Sequence, residues 1–178
     1  TNYEYDEVIC SGEAAAKTAV EYLISLGHKK IAYIGDCTYE SRYIGYYQAL
    51  LNHRIPLDYH FVHPSNQTEA EGLQIMNRIL TSDSRPTAIF CANDCTAVGV
   101  LKTLKMSKKR GYHPSVISID NIRESERTTP LLTTIHIPKQ QMAHLALMLL
   151  LDQRKGEHKE TGRCCLVHVI YILDDPDS

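Results

Sequence analysis

Three polar side chains in this sequence carry the functional groups needed to grip a neutral molecule dense in hydroxyls or amides. Asp120 offers two acceptor oxygens, Asn93 both donates and accepts, and Arg42 presents a fixed fork of N–H donors. A sugar or a purine-like base would satisfy such a set. Each group also has a plainer reading. Gly35-Asp36-Cys37-Thr38 and Asn93-Asp94 have the composition of helix caps, and Arg42 can pair with Asp36 or Glu40 as a surface ion pair of little energetic worth. Aromatic platforms are less clear, because Trp is absent, although Tyr43, Tyr46 and Tyr47 lie beside Arg42.

Catalytic arrangements fare poorly. The sequence has no G-x-S-x-G elbow, no P-loop and no H-E-x-x-H. Cys10-Ser11-Gly12 before a helix suggests a thiol at a positive dipole, but no base accompanies it. His53, His60 and His63 flank a turn without a matching second pair, and Cys91 and Cys95 bracket Asn93-Asp94 at a spacing unsuited to zinc. No enzyme activity, metal or cofactor is therefore expected.

What must position these groups is an alternation of strands and helices. Glu13 to Leu26 reads as a helix, with Ser11 as its cap and Gly27 as its stop. Lys30 to Gly35 reads as a buried strand, and a helix follows from about Glu40 to Asn52, where Pro56 blocks continuation. Asp58 to Val62 is predicted to be a strand, and Thr68 with Glu71 forms a capping-box signature for the next helix. Thr87 to Ala92 and Val116 to Ile119 are further strands, with a helix through Val98, Leu101 and Leu104 between them. Leu131 to Ile137, a helix from about Lys139 to Gln153, and a β-rich tail from Cys164 to Leu173 complete the chain. This order predicts an α/β fold with a parallel sheet covered on both faces. Such sheets bind ligands beyond the carboxyl ends of their strands. That rule gathers Asp36 to Thr38, Asn93-Asp94 and Asp120-Asn121 at one edge.

The totals narrow the partners. A formal net charge of -2 over 178 residues gives no electrostatic reason to hold a phosphate backbone. The polar start, Thr1 to Glu7, lacks the character of a secretory leader, and no apolar run approaches the ~20 residues of a membrane span. The six cysteines lie in apolar, strand-like runs, as buried reduced thiols do. A cytoplasmic protein is expected.

Several segments, in order, resemble regulators of the lactose-repressor/galactose-repressor (LacI/GalR) family. Gly27-His28-Lys29-Lys30-Ile31-Ala32-Tyr33-Ile34 is similar to the family's G-H-x-x-I-A-x-I run. Ser41-Arg42-Tyr43-Ile44-Gly45-Tyr46-Tyr47-Gln48-Ala49-Leu50 resembles its x-R-x-x-G-[FY]-x-x-A-L. Pro86 to Asp94 with Ala97-Val98-Gly99 is close to P-T-A-[IV]-x-x-x-N-D-x-x-A-x-G, and Pro130 to Ile135 matches P-x-L-T-T-[IV]. Together they span most of residues 8 to 152.

The resemblance implies a periplasmic-binding-protein-like (type I) effector domain, in which two α/β subdomains enclose a sugar, nucleoside or purine. By motif, Arg42, Asn93 and Asp120 take effector-contacting positions. Thr38 and Gln67 line the cleft, while Asp36 and Asp94 support the loops. It implies a homodimer through the helix of Val98 and Leu101 and the segment Ile122 to Thr128. Operator DNA would be read by a helix-turn-helix head preceding Thr1, not by these residues. The expected division gives residues 1–10 to the end of the first subdomain and the crossover, and 11–136 to the second subdomain. Residues 137–165 would be a helix and return segment of the first, and 166–178 a C-terminal strand and tail. Three departures stand out: Cys10 where the family has an aspartate, Ser118 where it has a glycine, and a tail without its arginine-x-serine finish. The rival readings are a solute-binding protein of a sugar transport system, with the same fold and no DNA partner, and an enzyme on a doubly wound sheet.

Overall fold

A computed structural model describes residues 6–38, 40–107, 111–154, 163–168 and 172–173. The chain divides into two compact units, one of residues 12–136 and 171–178, the other of 1–11 and 137–170.

The larger unit is built on one sheet. Its strands are β2 (Ile31–Gly35), β3 (Val62–Pro64), β4 (Ala88–Cys91), β5 (Ser115–Asp120), β6 (Thr133–His136) and β8 (Ile172–Leu173), in spatial order β3-β2-β4-β5-β6-β8. All neighbouring pairs are parallel except β6 with β8. Two helices, α1 (Gly12–Ser25) and α2 (Ser41–Asn52), pack on one another, as do α3 (Glu69–Thr81) and α4 (Asp94–Met106). β2 and β4 are buried along their whole length, which explains their unbroken apolar sequence. Tyr33, Tyr46 and Phe90 are almost wholly inaccessible, and the Tyr46 hydroxyl donates to the Ile31 carbonyl at 2.9 Å. Packing between the helix pairs depends on missing side chains. A Cβ on Gly45 would strike the Glu13 carbonyl, one on Gly72 the Thr96 carbonyl, and one on Gly99 the Glu69 carbonyl.

One expected strand is different. Residues 58–61 do not extend as predicted: Asp58 caps a 3-10 turn over Tyr59–Phe61 by accepting from the His60 amide, and β3 begins only at Val62. A short acid that bonds its own neighbouring backbone competes with strand pairing. The tail also splits. Cys164–Val167 (β7) pairs in parallel with Glu7–Cys10 (β1) in the smaller unit, whereas β8 joins β6. The smaller unit adds helix α5 (Lys139–Arg154). Arg163 is held there by Asp6 at 2.9 Å and by Asp152 at 3.2 Å.

At the amino ends of the strands, His28 bridges β4 and β5. Its Nδ1 lies 3.0 Å from Thr87 Oγ1 and its Nε2 2.9 Å from Ser115 Oγ. Because Thr87 spends its proton on the Lys30 carbonyl, the neutral ring donates from Nδ1 and accepts at Nε2. Partial burial holds the imidazole below its ordinary value of 6.5. Burial, and secondarily Arg78, shifts His63 the same way. A base with a depressed folded value favours the unfolded chain once protonated. Its stabilising contribution is therefore complete above pH 6.5 and declines as pH falls through the lower folded value. His28→Ala is expected to cost about 2 kcal/mol at pH 7.5 through two lost hydrogen bonds. Its stability should also fall less than the parent's between pH 7 and 5. Urea midpoints at both pH values measure both effects, and an unchanged pH slope would exclude the titration.

Candidate functional site

Parallel pairing from β3 to β6 brings the carboxyl ends of five strands to one rim. Chain direction across the sheet reverses between β2 and β4, since β3 lies on the far side of β2. A crevice opens where connections leave in opposite directions. The first turn of α2 stands on one side of that point and the first turn of α4 on the other.

Arg42 spans this crevice. Its Nη1 donates to the Ala92 carbonyl just past β4, and its Nη2 reaches Asp120 Oδ1 at 3.2 Å. Both side chains remain partly open, Arg42 at 20% and Asp120 at 24%. The contact with Glu40 is longer, 3.8 Å from Nε. Asp36 takes no part: its Oδ1 accepts the Thr38 amide at 2.7 Å, closing the turn after β2. The arginine is thus an arm bridging two strand ends that also pairs loosely with Glu40. Its stem runs beside Gly12, the first residue of α1, where a Cβ would lie 2.6 Å from Ser41 Oγ and 3.3 Å from Arg42 Cγ.

Asn93 ties the next connection in. Its Oδ1 caps α4 by accepting from the Thr96 amide at 2.9 Å, and its Nδ2 donates to the Gln67 carbonyl at 2.9 Å. Gln67 has the left-handed φ of 63° and donates from Nε2 to Glu40 Oε2 at 3.3 Å. An open hollow of about 620 Å³ lies between Asp36, Cys37 and Thr38 on one side and Ser65, Asn66 and Gln67 on the other. Glu71 fixes the second wall by accepting from Ser65 Oγ, the Asn66 amide and Asn66 Nδ2. Those bonds, led by the serine hydroxyl, hold its carboxyl below the usual range. The Thr68 hydroxyl accepts from the Glu71 amide, and the Glu71 carboxylate accepts in turn from the Thr68 amide, the reciprocal box expected from sequence, while also holding the 65–66 loop.

Asp94 is wholly buried and accepts from two hydroxyls and one backbone amide. Oδ1 accepts from Ser118 Oγ and from Thr134 Oγ1 at 2.7 Å, while Oδ2 accepts the Ile122 amide at 2.8 Å. Ser118, in place of the glycine expected there, is therefore a partner of this carboxylate. The residues it anchors are unusual: Asp120 has φ 125° and Asn121 φ 48°, both left-handed without being glycine. Non-glycine residues in such conformations persist only where surroundings over-determine them, and they gather at binding sites. Asn121 also contacts His136 on β6 at 3.1 Å, extending the rim to a strand from which no contact residue is expected. Glu40 and His136 are rim residues that carry no motif, whereas Glu71 was marked by its spacing from Thr68 and Asn121 by its place beside Asp120. The signal for Glu40 was its place at a helix start, two positions before Arg42.

The remaining candidates lie elsewhere. Cys91 is fully buried and its thiol is pushed up by burial, then by Asp94. Cys95, in the first turn of α4, is also raised, by partial burial and then by the Asp120 carboxylate. Neither is an activated nucleophile. No group of three or more His, Cys, Asp and Glu suited to a metal occurs among the described residues. Val98 and Leu101, 6% and 7% exposed, floor a groove of about 300 Å³ rimmed by Glu124 and Thr128. Ile122 is half-buried, and its amide is committed to Asp94.

Residues 20–170 match the periplasmic binding protein-like domain family. The chain is 36% identical over 155 residues to the HTH-type transcriptional repressor CytR of Escherichia coli K12, covering 83% of this chain and 45% of that protein. It is 31% identical over 170 residues to the HTH-type transcriptional repressor PurR of Mannheimia succiniciproducens, covering 91% and 49%. The chain thus spans about half the length of these curated relatives. Among solved structures, a LacI family transcriptional regulator from Enterococcus faecium with bound ribose superposes with a TM-score of 0.84 at 29% identity. That match covers 94% of this chain and 64% of the other.

Proposed function

This chain belongs to the periplasmic binding protein-like domain family, in its LacI/GalR branch, and from that membership we propose that it is the effector-sensing part of a transcriptional repressor. The single observation that carries the reading is Arg42 bridging the Ala92 carbonyl and Asp120 across the strand-order reversal. A sugar, or a nucleoside or purine-like molecule, fits a rim that offers donors and acceptors together. The ribose found in the Enterococcus faecium relative supports the sugar class. Thr38, Arg42, Gln67, Asn93 and Asp120 are the contact residues in this proposal, with Asp36 and Asp94 holding the loops.

Residues 12–136 act as one effector-binding subdomain, and the smaller unit as part of the other. Ligand favours one arrangement of the subdomains and so changes operator affinity through a separate DNA-reading segment. The rim does no chemistry of its own, and the protein works in the cytoplasm. Relatives that are transcriptional repressors favour this reading over a solute carrier for transport. Thermal shift of the whole regulator against a panel of pentoses, hexoses, nucleosides and purines is the test. A stabilising hit at micromolar to millimolar ligand is expected, and a panel without one would remove the proposal.

A homodimer or larger species accompanies this function. On α5, Leu147, Met148, Leu150 and Leu151 are each more than two-fifths exposed, and Ile9 and Leu166 in the same unit are similar. Apolar surface of that kind is usually covered. Light scattering at micromolar concentration is expected to give a mass above that of one chain; a clean monomer would reject the assembly.

A further inference from the structure

A second concavity lies at the opposite end of β2 from the rim. It is a pocket of about 350 Å³ between the start of β2, the end of α2 and the loop leading to the 3-10 turn. Its floor is apolar: Ile31, Leu50, Tyr46 and Phe61 are all at least nine-tenths buried. The one polar atom of the Tyr46 side chain is consumed by the Ile31 carbonyl.

Its mouth is cationic. Lys29, Lys30 and Arg54 stand around it, and none of them forms an ion pair among the described residues. Two acids stand nearby, and Asp58 is held below the usual carboxylate range chiefly by His60 and least by Lys30. Asp58, which also lines the mouth, holds His60 Nδ1 at 2.9 Å, and Glu21 lies 3.8 Å from His53 and 3.9 Å from Lys17. Arg54 takes φ 56° just after α2, a position usually given to glycine or asparagine, so the chain carries a guanidinium where a small residue is easier. The last carbonyls of α2 do not oppose an anion strongly. Those of Ala49, Leu50 and Leu51 accept from the His53, Ile55 and Arg54 amides.

We propose that this pocket is a second small-molecule site, taking an anion with an apolar body such as an aromatic or branched carboxylic acid. The body would cover Leu50 and Phe61 while the carboxylate meets Lys30 and Arg54. The volume lies within the range of small-molecule sites, roughly 300–1,000 Å³. Charge complementarity selects the acid over its neutral analogue.

The experiment is a titration of the isotope-labelled chain with 2-naphthoate, followed by backbone amide shifts, beside the neutral 2-naphthalenemethanol. Saturable shifts should centre on residues 29–31 and 53–58, with the alcohol binding at least 5-fold more weakly. Lys30→Glu with Arg54→Glu should weaken the acid by 10-fold or more. Both side chains are exposed, and an intact amide spectrum verifies folding. Shifts centred on α5 or on the 36–38 and 65–67 loops, or equal binding of acid and alcohol, would overturn the proposal. So would unchanged affinity in the double variant. Failure at this pocket leaves the effector reading intact, since the sugar and nucleoside panel reads the other end of the sheet.

Discussion

Asp94→Ala is expected to lower stability by about 3–5 kcal/mol, because it leaves two buried hydroxyls and one half-buried amide without their acceptor. The Ser118 and Thr134 hydroxyls can rotate, and Thr134 Oγ1 already accepts the Asn121 amide at 3.3 Å, so they recover part of the loss. Asp94→Asn should fall between the two, since it keeps one acceptor oxygen and turns an amide group towards donors. Urea unfolding midpoints measure the difference. A cost below 1 kcal/mol for the alanine variant would mean that water replaces the carboxylate and that the strained turn at Asp120 does not depend on it.

Arg42→Ala should weaken effector binding by about 10- to 100-fold, the range of a hydrogen bond made by a charged group. Asp120→Asn, which keeps the shape and removes the charge, should fall at the lower end. The two groups touch each other at 3.2 Å, so their effects are not expected to add. The double variant should therefore lose less affinity than the two single losses combined. Calorimetry with the panel hit gives all three constants. Affinities within 2-fold of the parent for both single variants would place the ligand elsewhere.

Much of the larger unit was legible in the residues. β2 and β4 are buried on both faces, so their continuous apolar runs read directly, and Thr68 caps α3 as its spacing requires. Asn93, Asp120 and Arg42 were also readable as a group, because a parallel sheet collects its strand ends. Features set by tertiary bonding were not. Asp58 turned a predicted strand into a 3-10 turn through one local hydrogen bond. The left-handed backbone of Asp120 and Asn121 leaves no mark in a sequence that places no glycine there. Ser118 looked like a departure only because its partner, Asp94, lies 24 positions away in the chain.

Gly12 adds a consequence of a different kind. The vacant space beside it is the clearance that lets the Arg42 arm lie flat. Any bulkier residue at position 12 would act as a wedge, prising the guanidinium from Asp120 although it touches neither the acid nor a ligand. A genetic screen for regulators deaf to their signal should therefore recover changes at this glycine beside changes at the arginine.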